Sequence, residues 1–98
     1  MNYKPLPESL TIKKSNIQGL GLFATIDIRE GILGVGWVKQ DIWPDGFLRT
    51  PMGGFINHSE TPNCEKVMHE EVGVMWLKAT RDIKEGEELT VKYTLYNL

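Results

Sequence analysis

The chain has 98 residues, 41% of them hydrophobic, with 13 acidic against 11 basic residues and a net charge of -2. That makes one domain with an ordinary core, no basic footprint for direct nucleic-acid binding and no apolar run near the ~20 residues of a membrane span. The single cysteine, Cys64, excludes an internal disulfide and a thiolate metal cluster, and with no signal-peptide core in the first ten residues the expectation is an intracellular protein, cytoplasmic or nuclear.

Residues 1–9, with prolines at 5 and 7, read as an N-terminal arm ahead of a domain over 10–98. Leu10 and Ile12 alternate with Thr11 and Lys13, which predicts a short half-buried strand. Lys13-Lys14, the one adjacent basic pair, reads as a solvated strand end. Gly19 and Gly21 break the chain, and Leu22-Phe23-Ala24 opens a second strand. Ile32 to Val38 is apolar and contains glycine, so a strand with a bend or bulge is expected. Lys39 to Gly54 holds two prolines and three glycines and reads as loop. Val67-Met68 and Val72 to Ala79 predict a hairpin turning near Glu70-Glu71, with Trp76 in the core and His69 solvated. Leu89, Val91 and Tyr93 alternate with Thr90 and Lys92 as a last strand. No stretch shows sustained helical periodicity with caps, so the domain is expected to be mostly β, with little helix.

One pattern occurs twice. Ala24-Thr25-Ile26-Asp27-Ile28-Arg29-Glu30-Gly31 returns as Ala79-Thr80-Arg81-Asp82-Ile83-Lys84-Glu85-Gly86. In each copy a strand ends, Asp can bond the amides of a tight turn, Ile plugs the core and Gly supplies a permissive conformation. Two copies make no solenoid, and the device carries no chemistry.

Three segments invite a chemical reading. Gly19-Leu20-Gly21-Leu22-Phe23 follows a strand and opens another strand, which argues against a dinucleotide site, whose glycines lead into a helix. Asn57-His58-Ser59 places His beside Ser. Adjacent side chains on an extended backbone point apart, and no third group orients them, so a nucleophile is rejected. Glu88-Leu89-Thr90-Val91-Lys92-Tyr93 ends on an aromatic near the C-terminus.

In combination, Gly-Leu-Gly-Leu-Phe at 19–23, Asn57-His58-Ser59-Glu60-Thr61-Pro62-Asn63 and the segment ending at Tyr93 resemble the SET domain of protein-lysine methyltransferases. The resemblance runs from Leu10 to Tyr93, and the short chain resembles a minimal, viral-type SET domain. It implies a SET-type fold of short curled β-sheets with a knot-like C-terminal threading. It implies S-adenosylmethionine as cofactor, held by Gly19, Leu20, Gly21, Leu22, Phe23, Asn57 and His58, with Asn63 supporting the loop. Tyr93 would be the catalytic residue, and the partner would be a protein carrying a substrate lysine. Trp37, Lys66 and Tyr96 are candidates for lining the substrate channel.

The sequence also departs from the pattern. The insert over 37–54 is short, and only five residues follow Tyr93, with no cysteine-rich cover. Lys66 stands where relatives often carry Phe or Tyr. A homodimer that completes the groove, with Trp43 and Phe47 at its interface, is one expectation. A degenerate module that binds cofactor or a protein partner without methyl transfer is the alternative.

Overall fold

Alternating patterns and turn residues give a β-rich fold in the computed structural model, which describes residues 6–39, 47–69 and 73–93. In chain order the strands are β1 (Leu10–Lys14), β2 (Leu20–Ala24), β3 (Gly31–Lys39) and β4 (Phe47–Arg49). One helical turn, α1 (Pro51–Gly54), precedes β5 (Asn57–His58), β6 (Cys64–His69), β7 (Val74–Ala79) and β8 (Glu88–Val91). They form two four-stranded sheets, ordered β1-β2-β8-β5 and β4-β3-β7-β6. All pairings are antiparallel except β5 with β8. Among the described residues, no helix is long and apolar enough to cross a membrane.

One core joins the two sheets. Leu22 and Leu89 from the first sheet and Leu77 from the second are fully buried, with Val91, Ile83 and Ile56 among them. Residues just before β1 join the body, because Thr25 Oγ1 donates to the Glu8 carbonyl at 2.6 Å and Leu6 packs on the core.

The repeated octapeptide is more than a device used twice. Its two copies face one another across a local twofold. Ile28 and Ile83 exchange both backbone hydrogen bonds at 2.7 Å. Asp27 Oδ1 accepts from the Glu85 amide at 2.9 Å, and Asp82 Oδ1 accepts from the Glu30 amide at 2.8 Å. Each aspartate therefore caps the turn of the other copy, where the sequence suggested its own turn. Both closing glycines, Gly31 and Gly86, take positive φ.

Two local expectations change. Lys39 to Gly54 is not wholly loop, because residues 47–49 pair with β3 and Pro51–Gly54 closes a helical turn. Thr50 caps that turn by accepting from the Gly53 amide, Pro51 starts it, and Met52 buries beneath it, a start signal too short to register as periodicity. Secondly, Trp37 is buried whereas Trp76 is half-buried. β3 shifts register between Ile32 and Gly34 and again between Val35 and Trp37, which sets Trp37 opposite buried Met75. Trp76 pairs with Val35 and Val67 on the other face. Trp43, Tyr96 and the Phe47 side chain lie outside the described residues.

Candidate functional site

The loop between β1 and β2 is tied down from within and from two other strands. Ser15 donates its amide to the Gly19 carbonyl at 2.8 Å, and its hydroxyl accepts from the Ile17 amide at 2.9 Å. The same hydroxyl donates to the Glu88 carboxylate at 2.8 Å. Asn57, on β5, aims its amide nitrogen into this cluster. Nδ2 lies 2.8 Å from Glu88 Oε2, 3.1 Å from Ser15 Oγ, and 3.2 and 3.3 Å from the Gln18 and Leu20 carbonyls. Glu88 can occupy this place only because residue 21 lacks a side chain, since a Cβ on Gly21 would fall 2.2 Å from Glu88 Oε2.

The five candidates of this loop and strand are therefore placed differently. Gly19 and Leu20 are exposed, and a Cβ on Gly19 would meet nothing within 4 Å. Gly21 is buried, Leu22 is fully buried core, and half-buried Phe23 carries Lys13 Nζ 4.9 Å above its ring. Open backbone at 19–20 backed by a packed strand is a wall that a flat ligand can lie against. The Asn57 amide nitrogen is committed to holding that wall, which leaves its carbonyl oxygen and backbone for any direct contact.

The parallel pairing of β5 with β8 sets Asn57 beside Thr90 and His58 beside Val91. It brings His58 to Tyr93. His58 Nδ1 accepts from the Tyr93 amide at 2.8 Å, and Nε2 lies 2.6 Å from Glu60 Oε2. An accepting Nδ1 fixes the neutral tautomer that carries its proton on Nε2. The two rings lie 5.3 Å apart, tilted by 53°. The Tyr93 hydroxyl donates to the carbonyl of buried Ile56. The half-exposed tyrosine is thus held at both ends, and its oxygen lone pairs are left for other partners. The second carboxylate oxygen of Glu60 lies 3.8 Å from Lys92 Nζ.

Lys66, from the second sheet, reaches both this tyrosine and Trp37. Lys66 Nζ lies 4.8 Å from the Trp37 ring centroid and 5.6 Å from that of Tyr93. Among the described residues, no carboxylate pairs with it. Burial, with the Arg49 charge added, holds its amine below the usual lysine range. Lys66 also lines a cleft of about 270 Å³ with Pro62, Cys64, Val91 and Lys92. Burial pushes the Cys64 thiol up to about 12, so it is inert as a nucleophile.

Asn63 supports the loop beneath the site. Its buried side chain accepts from the Thr90 amide at 2.8 Å and donates to the Glu88 carbonyl at 2.9 Å. Glu88, Ser15 and Glu60 are residues that the sequence reading missed. Ser15 and Glu88 stand 73 positions apart, and each alone looks like a solvated strand end. Glu60 lies two residues from His58, so its place in the histidine motif was the available signal.

Comparison with known proteins adds the following. The SET domain family model matches residues 36–94. Among solved structures, a Plasmodium falciparum protein assigned as a histone methyltransferase superposes with a TM-score of 0.70 at 24% identity, covering 92% of this chain and 96% of that one. The methyltransferase domain of human PR domain-containing protein 2 also gives a TM-score of 0.70, at 20% identity, covering 95% of this chain and 82% of that one. A comparison with curated proteins finds no significant match. At these identities the structural likeness concerns the fold.

Proposed function

This chain belongs to the SET domain family, and from that premise we propose that it transfers methyl groups from S-adenosylmethionine to lysine side chains of a protein. The residues present suit such a cofactor. Exposed backbone at Gly19 and Leu20 gives it a surface, and the half-exposed ring of Tyr93, packed beside half-buried His58, favours a sulfonium cation. When bound, the cofactor supplies an electrophilic methyl group on positively charged sulfur.

The observation that carries the reading is the double anchoring of Tyr93, through its amide to His58 Nδ1 and through its hydroxyl to the Ile56 carbonyl. With its proton donated to Ile56, the tyrosine oxygen presents lone pairs. These can orient an amine hydrogen and polarise a methyl group, which are effects of proximity and electrostatics. A phenol of pKa about 10 is a poor base at neutral pH, so deprotonation of the substrate amine is left to water. Apolar surroundings favour the neutral amine, and Trp37 with Tyr93 supplies them. His58 and Asn57 act as positioning residues: the first fixes Tyr93, and the second fixes the loop wall.

Titration calorimetry with S-adenosylmethionine and S-adenosylhomocysteine tests the cofactor. Saturable one-to-one binding is expected, and at a hundredfold excess over Kd it adds about 2.7 kcal/mol of stability. Tyr93→Phe should keep that binding and lose transfer to a lysine-containing peptide. Absence of binding at millimolar ligand overturns the reading. A second reading, cofactor binding without transfer, draws on Lys66, whose cation lies over the aromatic pair that a substrate ammonium would use.

A further inference from the structure

Lys66 is a half-buried lysine with no carboxylate partner among the described residues. Half-buried lysines ordinarily end on a carboxylate or extend to water. Lys66 instead ends over two aromatic rings, with Nζ 4.8 Å from the Trp37 centroid and 5.6 Å from the Tyr93 centroid. The charge that acts on it is another cation, Arg49, which β3–β4 pairing places opposite Trp37. The carboxylates of the site serve other groups. Glu60 bonds His58 and faces Lys92, Glu88 serves Ser15 and Asn57, and Glu87 pairs with Arg81.

Aromatic contact holds the ammonium in place and itself favours the protonated form, with no carboxylate among the described residues adding to that hold. An ion pair raises the cost of deprotonation, whereas burial beside a second cation lowers it. The direction found for Lys66, below the usual lysine range, follows from burial and then the Arg49 charge. Burial beside Arg49 favours the neutral amine of Lys66, and the neutral amine is the nucleophilic form. The Tyr93 ring that carries this amine is the ring packed against His58, 5.3 Å away. The Tyr93 ring therefore neighbours both the Lys66 amine and His58.

We propose that Lys66 is a methyl acceptor, alkylated within its own chain in the slot between Trp37 and Tyr93. The inference rests on the methyl-transfer reading above and names a substrate for it. Nζ first loses one proton to water. Its lone pair then forms the nitrogen–carbon bond as the sulfur–carbon bond of the sulfonium donor breaks, and the electrons of that bond stay on sulfur as the thioether. The product is a secondary ammonium with the same charge as the starting lysine, so both cation–π contacts survive. It remains in the slot, and the added methyl lies against aromatic surface.

The experiment has two arms, both read by mass spectrometry on the intact chain and on peptides containing Lys66. In the first, purified protein is incubated with S-adenosylmethionine at protein concentrations spanning a hundredfold. The expected result is methyl mass on Lys66, appearing with a half-time independent of protein concentration, as an intrachain step requires. Lys66→Arg should lose it, and Tyr93→Phe should slow it while keeping cofactor affinity by calorimetry. In the second arm no cofactor is present, and limiting formaldehyde with cyanoborohydride labels free amines. Lys66 should be labelled ahead of Lys13, Lys14 and Lys84, and its lead should fall in Trp37→Leu. A thermal melt confirms that each variant is folded. Cofactor binding with Lys66 unmodified, or with modification that rises in proportion to protein concentration, overturns the inference and leaves the function standing. Absence of cofactor binding overturns both, and labelling no faster than the exposed lysines removes the nucleophile.

Discussion

Gly21 is where one methyl group has the most definite consequence. Its hypothetical Cβ falls 2.2 Å from Glu88 Oε2 and 3.0 Å from Ser15 Cβ, so the Glu88 carboxylate must leave the cluster that also holds Asn57. Gly21→Ala is expected to cost about 1–3 kcal/mol in urea unfolding, as overpacking usually does, and to weaken cofactor binding by calorimetry because the 15–20 loop loses its anchor. Unchanged values for both would mean that the carboxylate has room to move. Glu87 offers a pH test. Chiefly through its hydrogen bonds to Arg81, its carboxyl is held down at about 2, below its unfolded value. The resulting stabilisation is complete above the unfolded value and is lost as pH falls through the folded one. Glu87→Gln should therefore melt below the parent at neutral pH, with the gap closing from about pH 5 down to about pH 2. A gap that stays constant on acidification would remove Glu87 as its source.

Between elements, the local twofold makes two distant turns interdependent. Asp27 caps the turn at Glu85 and Asp82 the turn at Glu30, while Ile28 and Ile83 share one bridge between them. Asp27→Ala and Asp82→Ala should each cost about 1 kcal/mol. The double variant should lose less than the sum, because the second cap has less left to hold once the bridge has loosened. Strict additivity in urea unfolding would show the turns to be independent. The repeat itself was legible in the sequence, and so were the strands of alternating pattern, since both depend on local spacing. Which turn each aspartate caps was not, because the two amides lie 52 and 58 residues away. Trp37 and Trp76 show the same limit. Both sit in apolar strands, and only the register shifts in β3 decide which one faces the core. In the site, the motifs located Asn57, His58 and Tyr93, but the internal bonding of the Asn57 amide needed Ser15 and Glu88 brought together in space.

For the whole molecule, we propose that the stretch over 37–54 completes a substrate groove by pairing two copies of the chain. Strand β4 pairs with β3 along one edge and, among the described residues, has no strand on the other. Leu48 on β4 is exposed, and a sheet edge left open invites another strand. A second copy of the chain would cover this edge and extend the wall beside Trp37, which pairs with Arg49 in the same strand. Sedimentation equilibrium should therefore give a dimer at micromolar protein. Leu48→Lys, which places a charge on the edge, should shift it to monomer with little change in the melting temperature of the monomeric fold. Peptide methylation should fall with dissociation, whereas intrachain modification of Lys66 should persist, because Trp37, Lys66 and Tyr93 belong to one chain. A monomer at all concentrations with full peptide activity would refute the dimer, since one chain would then be supplying both walls of the groove.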